Sequence, residues 1–463
     1  MIGRYQEKKH LLRLYKDKKS HFLAVFGRRR IGKTYLIRNY FIDKMSFYHT
    51  GLSNTGLALQ LDNFYLSLVK YGYQSSVKPK NWLEAFEILK QLLDQNPSEK
   101  KVVFIDELPW LDSPRSAFLA SFENFLNTWA SARQDILLIV CGSASSWMIH
   151  HLLNNKKGLH NRVTSQMKLL PFDIKETKEF LESNHIQWDS IQIAKAYMVL
   201  GGIPYYLEQL QSGKSIDQSI DELFYAPNGH LRHEYYNLFA SLYDKPELYM
   251  QIMQLLSQRT KGFTRGELLS KLKVKTGGHF SKVIEELVLS DFIQKYIPYG
   301  KKERDALYKL QDFFCHFYLS FIQNQSTTRG EWLSAIMSGK TNAWSGYAFE
   351  RLCHHHIDKI KAVLGISGVL TKASSWRNEA IQIDLLLERQ DQIINLIEVK
   401  YSLNDYTITK SYAKELLNKV EVFRQASKTK KAIHLTLITT QDLIENEYSG
   451  YIQNHIKLDD ILD

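Results

Sequence analysis

Two stretches of this chain carry residue types whose spacing can do chemistry. The first runs from Gly27 through Arg28, Arg29, Arg30, Ile31, Gly32 and Lys33 to Thr34, a full G-x-x-x-x-G-K-[ST] loop. Its glycines let backbone N–H groups curl round phosphates, Lys33 can reach the β and γ oxygens of ATP, and the Thr34 hydroxyl can hold Mg²⁺. Hydrolysis needs two further groups, a carboxylate for the metal and a residue that orients water. "KVVFIDELPW" supplies both at the end of an apolar run: Asp106 for Mg²⁺ through water and Glu107 to polarise the attacking water. A second apolar run, "DILLIVCGSASSW", delivers Ser143, which reads either as a polar contact to the γ-phosphate or as the cap of a following helix. Arg28, Arg29 and Arg30 can contact phosphate or nucleic acid, or point outward to nearby carboxylates.

The second stretch is "QIDLLLERQDQIINLIEVKYS", Gln382 to Ser402, two apolar runs around a polar turn. Symmetric pairing about Asp391 sets Asp384 opposite Glu398, and same-face neighbours across a strand pair lie about 4.5–5.5 Å apart. Alternation predicts Asp384, Glu398 and Lys400 on one face, with Ile383, Leu385, Ile397 and Val399 on the other. Two carboxylates so close repel, and burying them is costly unless a cation lies between. Mg²⁺ or Mn²⁺ held by Asp384, Glu398 and the Val399 carbonyl would resolve the conflict, and Lys400 could then position or deprotonate water. The alternative is an acid–lysine pair on a solvated hairpin. Upstream, "GYAFERLCHHHIDKI" reads as a helix with Glu350 at the edge of the apolar face formed by Phe349, Leu352, Cys353 and Ile360. Successive histidines at 354–356 point about 100° apart, so they read as a polar helix surface rather than one metal site.

These residues need scaffolds. Phe22–Phe26 before the first loop and Leu36, Ile37 and Tyr40 after it predict strand, loop and helix, with the helix dipole aimed at the phosphates. In the middle, "PELYMQIMQLLSQR", "TRGELLSKLKV" and "GGHFSKVIEELVLSDF" have helical apolar spacing, and "IQKYIPYGKKERDALYKL" reads as two strands around a basic turn. Three helices and a hairpin predict a winged helix. Its third helix offers only His279, Ser281 and Lys282 as base readers, a poor set. Lys301, Lys302 and Arg304 on the wing suit phosphate backbone, unless the domain is an internal lid.

With 463 residues the chain has room for about three domains, and 44% hydrophobic residues give each a core. A net charge of +11 favours a polyanionic partner such as nucleic acid without requiring one. Cys141, Cys315 and Cys353 lie far apart, which suggests neither a disulfide framework nor a zinc site. The charged N-terminus and the lack of a long apolar run suggest a cytoplasmic protein with no membrane span.

Beyond these readings, "IGRYQE", "GRRRIGKT", "FIDELPW", "VCGSASS", "LHNRV" and "GGIPYYL" follow one another in the order seen in archaeal-type AAA/STAND P-loop ATPases, and the chain resembles that group. The resemblance implies that Gly3, Arg4 and Glu7 lie near the base end of ATP and that Gly202 and Pro204 form a turn of a helical lid. Arg162 of "LHNRV" corresponds to the arginine that reaches a neighbouring subunit's nucleotide in AAA rings, a role STAND proteins often lack. A homo-oligomer is therefore possible. The D…E-x-K pattern with Glu350 resembles the PD-(D/E)XK nuclease-like superfamily, although Ile383 replaces the proline of that motif. Many such domains bind without cutting.

The expected architecture is thus α/β: a P-loop NTPase domain over 1–172, a helical lid over 173–244, a winged helix over 245–325 and a restriction-endonuclease-like α/β domain over 326–463. The expected function is an ATP-hydrolysing switch coupled to a metal-dependent nuclease-like domain. A non-cleaving ATP-dependent sensor of DNA or a protein is the alternative.

Overall fold

The computed structural model describes the chain except for Met1 and residues 154–161 and 324–327. Part of "LHNRV" and the boundary expected at residue 325 therefore lie outside the described residues. The chain divides into two compact units, Met1–Pro171 and Phe172–Asp463. The lid, winged-helix and nuclease-like segments expected after residue 172 all belong to the second unit.

The first unit is built on β1 (His21–Phe26), β2 (Met45–Thr50), β3 (Lys101–Asp106), β4 (Ile136–Gly142) and β5 (Ser165–Lys168), in spatial order β2-β3-β4-β1-β5. All neighbours are parallel. A parallel sheet covered on both faces requires continuous apolar strands, and every residue of β3 and β4 is buried. Because β4 lies between β1 and β3, the carboxyl ends of three strands deliver the Gly27–Thr34 loop, Asp106 and Ser143 to one edge. The Trp82–Gln95 helix starts at Asn81, whose side chain accepts from the Glu84 N–H. Its Phe86 stacks on Phe125 of the Phe118–Thr128 helix, ring centroids 5.2 Å apart, within an aromatic core over the sheet.

The second unit begins with helices. Asp173 and Glu176 form a capping box at the head of the Ile174–Ser183 helix. The Ser190–Leu200 helix stops at Gly201 and Gly202, both left-handed, with φ of +70° and +65°. A Cβ on Gly202 would stand 2.2 Å from the Phe172 carbonyl oxygen, and the Phe172 N–H donates to the Gly202 carbonyl at 2.8 Å. Gly202→Ala is therefore expected to destabilise the protein by about 1–3 kcal/mol, from overpacking added to a disfavoured φ. Urea unfolding of the two proteins checks this, and equal midpoints would contradict it.

Helices Glu247–Ser257, Arg265–Leu272 and Gly278–Leu289 accompany a three-stranded antiparallel sheet of β6 (Phe263–Thr264), β7 (Ile293–Tyr296) and β8 (Leu307–Leu310), ordered β6-β8-β7. The loop between β7 and β8 reaches the C-terminal sheet: the Tyr299 N–H donates to the Ser375 carbonyl at 3.1 Å, and the Tyr299 ring lies 5.3 Å from that of Phe423.

The C-terminal sheet contains β9 (Thr371–Arg377), β10 (Gln382–Arg389) and β11 (Ile393–Lys400). After β12 (Tyr406–Thr407) come β13 (Ala432–Thr439), β14 (Leu443–Ile444) and β15 (Asn454–Lys457). Its order is β15-β13-β11-β10-β9, with β9, β10 and β11 antiparallel and β11, β13 and β15 parallel; β12 and β14 form a separate parallel pair. The Lys410–Ser427 helix covers one face, where Leu416 and Phe423 pack on Leu386, Ile394 and Leu396. Ile383 joins that cluster, contrary to simple alternation. A β-bulge explains the difference: Ile383 pairs with Trp376 and Leu386 with Ser374, so β10 carries one extra residue in between and the pleat is reset. The helix expected through Ile360 is also broken, running from Gly339 to His355 and restarting at Ile357.

Among the described residues no helix is long and apolar enough to cross a membrane.

Candidate functional site

The loop after β1 is shaped by conformations only some residues tolerate. Gly27 has φ +142°, and a Cβ there would stand 2.3 Å from the Leu169 carbonyl oxygen; Gly32, at φ +86°, caps the Lys33–Tyr40 helix. Lys33 Nζ donates to the carbonyls of Gly27 (3.0 Å) and Arg28 (2.9 Å) and to Ser143 Oγ (3.3 Å). Burial pulls its pKa below the ordinary lysine value, against the charges of Glu107 and Asp106. A phosphate in the loop would supply the missing counter-charge.

Thr34 Oγ1 donates to Asp106 Oδ2 at 2.7 Å, so the two groups expected at Mg²⁺ are adjacent. Asp106 Oδ1 accepts from the Glu107 N–H at 2.9 Å and from the Cys141 thiol. Burial raises the Cys141 pKa well above its usual value and keeps the thiol a donor. Cys141 thus orients the Asp106 carboxylate, a role that the spacing of the cysteines does not reveal. Its place two residues before Ser143, at the end of a buried strand next to β3, is the available signal.

Glu107 sits at φ +47°, ψ +47°, a left-handed conformation unusual for a glutamate. Its carboxylate accepts from the Ser143 N–H at 3.0 Å and from Ser143 Oγ at 2.6 Å. Ser143 therefore links Lys33 to Glu107. It is not a helix cap, because the turn at Ser145–Met148 is preceded by Ala144 with no side-chain cap bond.

The arginines divide. Arg28 is 3% exposed, which corrects the outward-pointing alternative for that residue, while Arg29 and Arg30 are half-buried. Ile31 is buried in the loop's underside. Arg4 donates to the carbonyls of Leu170 (2.6 Å) and Ile31 (3.0 Å) and lies 3.6 Å from Glu7, so it braces the loop from behind. Arg162 is exposed in a turn before β5. Pro204 opens the short Pro204–Leu207 helix of the second unit.

In the second unit, β10 and β11 pair Leu385 with Ile397, and the same register continued one step sets Asp384 against Glu398. Glu350, Asp384, Glu398 and Lys400 all line one cavity of about 390 Å³. The expected convergence on a single point is only partly met: among the described residues, no three His, Cys, Asp or Glu side chains are gathered tightly enough to hold a metal ion. Asp384 Oδ2 accepts from the Val399 N–H at 3.1 Å, and Lys400 Nζ lies 4.5 Å from the centre of the Tyr412 ring. Glu398 Oε2 accepts from Lys419 Nζ at 2.7 Å.

Lys419 is the residue that sequence reading overlooked. It lies three residues after Leu416 and four before Phe423, so a charge interrupts the buried face of the Lys410–Ser427 helix. That interruption is its sequence signal.

Electrostatically the cluster is short of positive charge. Burial, followed by the charges of Asp384 and Glu398, pushes Glu350 up to about 8. Burial and Asp384 push Glu398 to about 7 despite Lys419, and burial raises Asp384. Glu398 Oε1 is buried without a hydrogen-bond partner among the described residues. An orphaned carboxylate oxygen in a cluster of raised pKa values fits a hard divalent cation.

The parallel sheet with its glycine-rich loop is the fold of a P-loop ATPase, and residues 2–210 match the family described as an ATPase domain predominantly from Archaea. An uncharacterized protein of Methanocaldococcus jannaschii is 26% identical over 425 residues, spanning 89% of this chain and 90% of the relative. Two solved structures also align. The Walker-type ATPase PABY2304 of Pyrococcus abyssi has a TM-score of 0.49 and 16% identity, covering 69% of this chain and 96% of its own. The Aeropyrum pernix ORC2 protein has a TM-score of 0.39 and 16% identity, covering 73% and 95%.

Proposed function

We propose that this protein is an ATP-hydrolysing switch of the AAA/STAND kind whose second unit carries a metal-dependent nuclease-like site acting on nucleic acid. In this reading the Gly27–Thr34 loop and Lys33 bind the phosphates of ATP, Thr34 and Asp106 hold Mg²⁺, and Glu107 takes the proton of the attacking water. Glu107 must first leave Ser143, which makes the Glu107–Ser143 contact a resting arrangement. Ser143, once free, can meet the γ-phosphate. Arg4 supports the loop and Pro204 belongs to the helical lid. Arg162, exposed at the end of the first unit, is available to a second copy of the chain. The three-helix segment with its β6-β8-β7 sheet acts as a winged helix.

The observation that carries the nuclease-like reading is the meeting of Glu350, Asp384, Glu398 and Lys400, which come from three different elements, in one cavity. Glu350, Asp384 and Glu398 would hold Mg²⁺ or Mn²⁺, which supplies Lewis acidity and an activated water. Lys400 orients that water and stabilises the charge that develops on the phosphate. A second reading, a non-cleaving sensor of nucleic acid or protein, draws support from Lys419, which already neutralises Glu398.

Incubating the full chain with mixed DNA and RNA and Mn²⁺ or Mg²⁺ separates the two. Metal-dependent cleavage is expected, reduced about 10²–10³-fold in Lys400→Ala, the range for losing a group that stabilises charge developing in the transition state. Absence of cleavage with every substrate and both metals would leave the sensor.

A further inference from the structure

A second cavity, of about 170 Å³, adjoins the carboxylates and brings together parts of the second unit that the proposed site does not use. Its walls include Lys309 of β8, Arg351 and His354 of the Gly339–His355 helix, and Ser374 and Trp376 of β9; Glu350, Gln382 and Asp384 form the side shared with the carboxylate cavity. By the same measure a single water needs only about 10–15 Å³, so there is room for a group of several heavy atoms.

Two of its donors are unspent. Arg351 Nη1 and Ser374 Oγ are both buried without a hydrogen-bond partner among the described residues, and Ser374 is only 5% exposed. Orphaned buried donors cost free energy, and a guanidinium together with a serine hydroxyl at one wall suits the oxygens of a phosphate. Lys309 adds a second cation, its Nζ 4.0 Å from the centre of the Tyr296 ring. Aromatic side chains stand beside these charges, since Tyr296 and Trp376 both line the cavity and can stack on a base. Cations beside aromatic faces, next to carboxylates, form a surface suited to a nucleotide and not to an apolar ligand.

We propose that this cavity binds a nucleotide phosphate, at a strand end or on a free nucleotide, with Lys309 and Arg351 as the anion ligands and β8 as the element that completes the pocket. The inference rests on the nuclease-like reading for its choice of nucleic acid, but it makes a separate claim. The small antiparallel sheet is part of the binding site, and its docking through Tyr299 onto β9 holds Lys309 in place.

The test is binding without metal. In EDTA, the full-length protein is titrated by fluorescence anisotropy into short single-stranded oligonucleotides that differ only in carrying a 5′-phosphate, a 3′-phosphate or hydroxyl ends. One phosphorylated end is expected to bind about tenfold tighter than hydroxyl ends, the least that one charge-assisted hydrogen bond implies. Lys309→Ala and the conservative Arg351→Lys should erase that preference while ATP binding, as a check on folding, is unchanged. A nucleoside monophosphate, offered to Lys33→Ala protein so that the loop after β1 is silent, separates the two sources. Competition as strong as that of the phosphorylated oligonucleotide marks a free-nucleotide site; weaker competition marks a strand-end site. Equal binding of phosphorylated and hydroxyl ends, or a preference unchanged in Lys309→Ala, would overturn the proposal. Cleavage is read separately with Mn²⁺. An end-phosphate preference without cleavage removes the nuclease-like reading and keeps the pocket, and cleavage without the preference does the reverse.

Discussion

Lys33→Ala is expected to abolish tight ATP binding, whereas Glu107→Gln should bind ATP as the wild type does and lose turnover by about 10²–10⁴-fold, the usual contribution of a positioned general base. The difference follows from what each side chain faces. Lys33 is buried among the carbonyls of its own loop, where its charge lacks a full counter-ion until a phosphate arrives. Removing it deletes a charge-assisted contact to the nucleotide in a desolvated setting. The Glu107 carboxylate is held by Ser143, so glutamine can keep the fold and the nucleotide while losing the capacity to accept a proton. Calorimetric ATP titration and a phosphate-release assay on the same preparations distinguish the two. Equal ATP affinity in wild type and Lys33→Ala would end the assignment of the loop.

The second large effect is on stability. Lys419→Ala should cost the second unit about 3–5 kcal/mol in EDTA, because it strands Glu398, whose side chain is 1% exposed, without its cation. Mn²⁺ should restore much of that loss by binding the folded state, about 2.7 kcal/mol at a hundred times its Kd. In the wild type the gain should be smaller, since Lys419 already neutralises the Glu398 carboxylate through its other oxygen. Thermal unfolding of both proteins, with and without Mn²⁺, reads the four values. If Mn²⁺ raises neither Tm, no metal binds the carboxylates.

The sign with pH follows from the same cluster. Glu350 and Glu398 have folded-state pKa values of about 8 and about 7, raised above the 4.5 of a free glutamate. A raised carboxyl binds its proton more tightly in the folded state, so its stabilisation is complete below about 4.5 and is lost as pH rises through 7 to 8. Without metal the second unit should therefore weaken across that window, and a bound divalent cation, which favours the ionised carboxylates, should oppose the loss.

Much of the site was legible in the sequence because the chemistry is local. The Gly27–Thr34 spacing fixes a loop whose backbone N–H groups converge, whatever surrounds it, and the apolar runs before Asp106 and Ser143 are what a doubly covered parallel sheet demands. The pairing of Asp384 with Glu398 followed from the turn at Asp391, since hairpin register is set by distance from the turn. The hidden features depended on groups far apart in the chain. A bulge opposite β9 reset the alternation and carried Ile383 onto the face packed by the Lys410–Ser427 helix, and no residue type at that position announces it. The partnership of Lys419 with Glu398 across 21 residues, the thiol of Cys141 on Asp106 across 35, and the grip of Ser143 on Glu107 across 36 are outcomes of packing. Sequence by itself marked Asp106 and Glu398 for burial, because each ends or interrupts an apolar run, but it did not mark Arg28 or Lys419. Only the tertiary structure decided which partner neutralises each one, because a buried charge takes whatever donor the neighbouring element brings within reach.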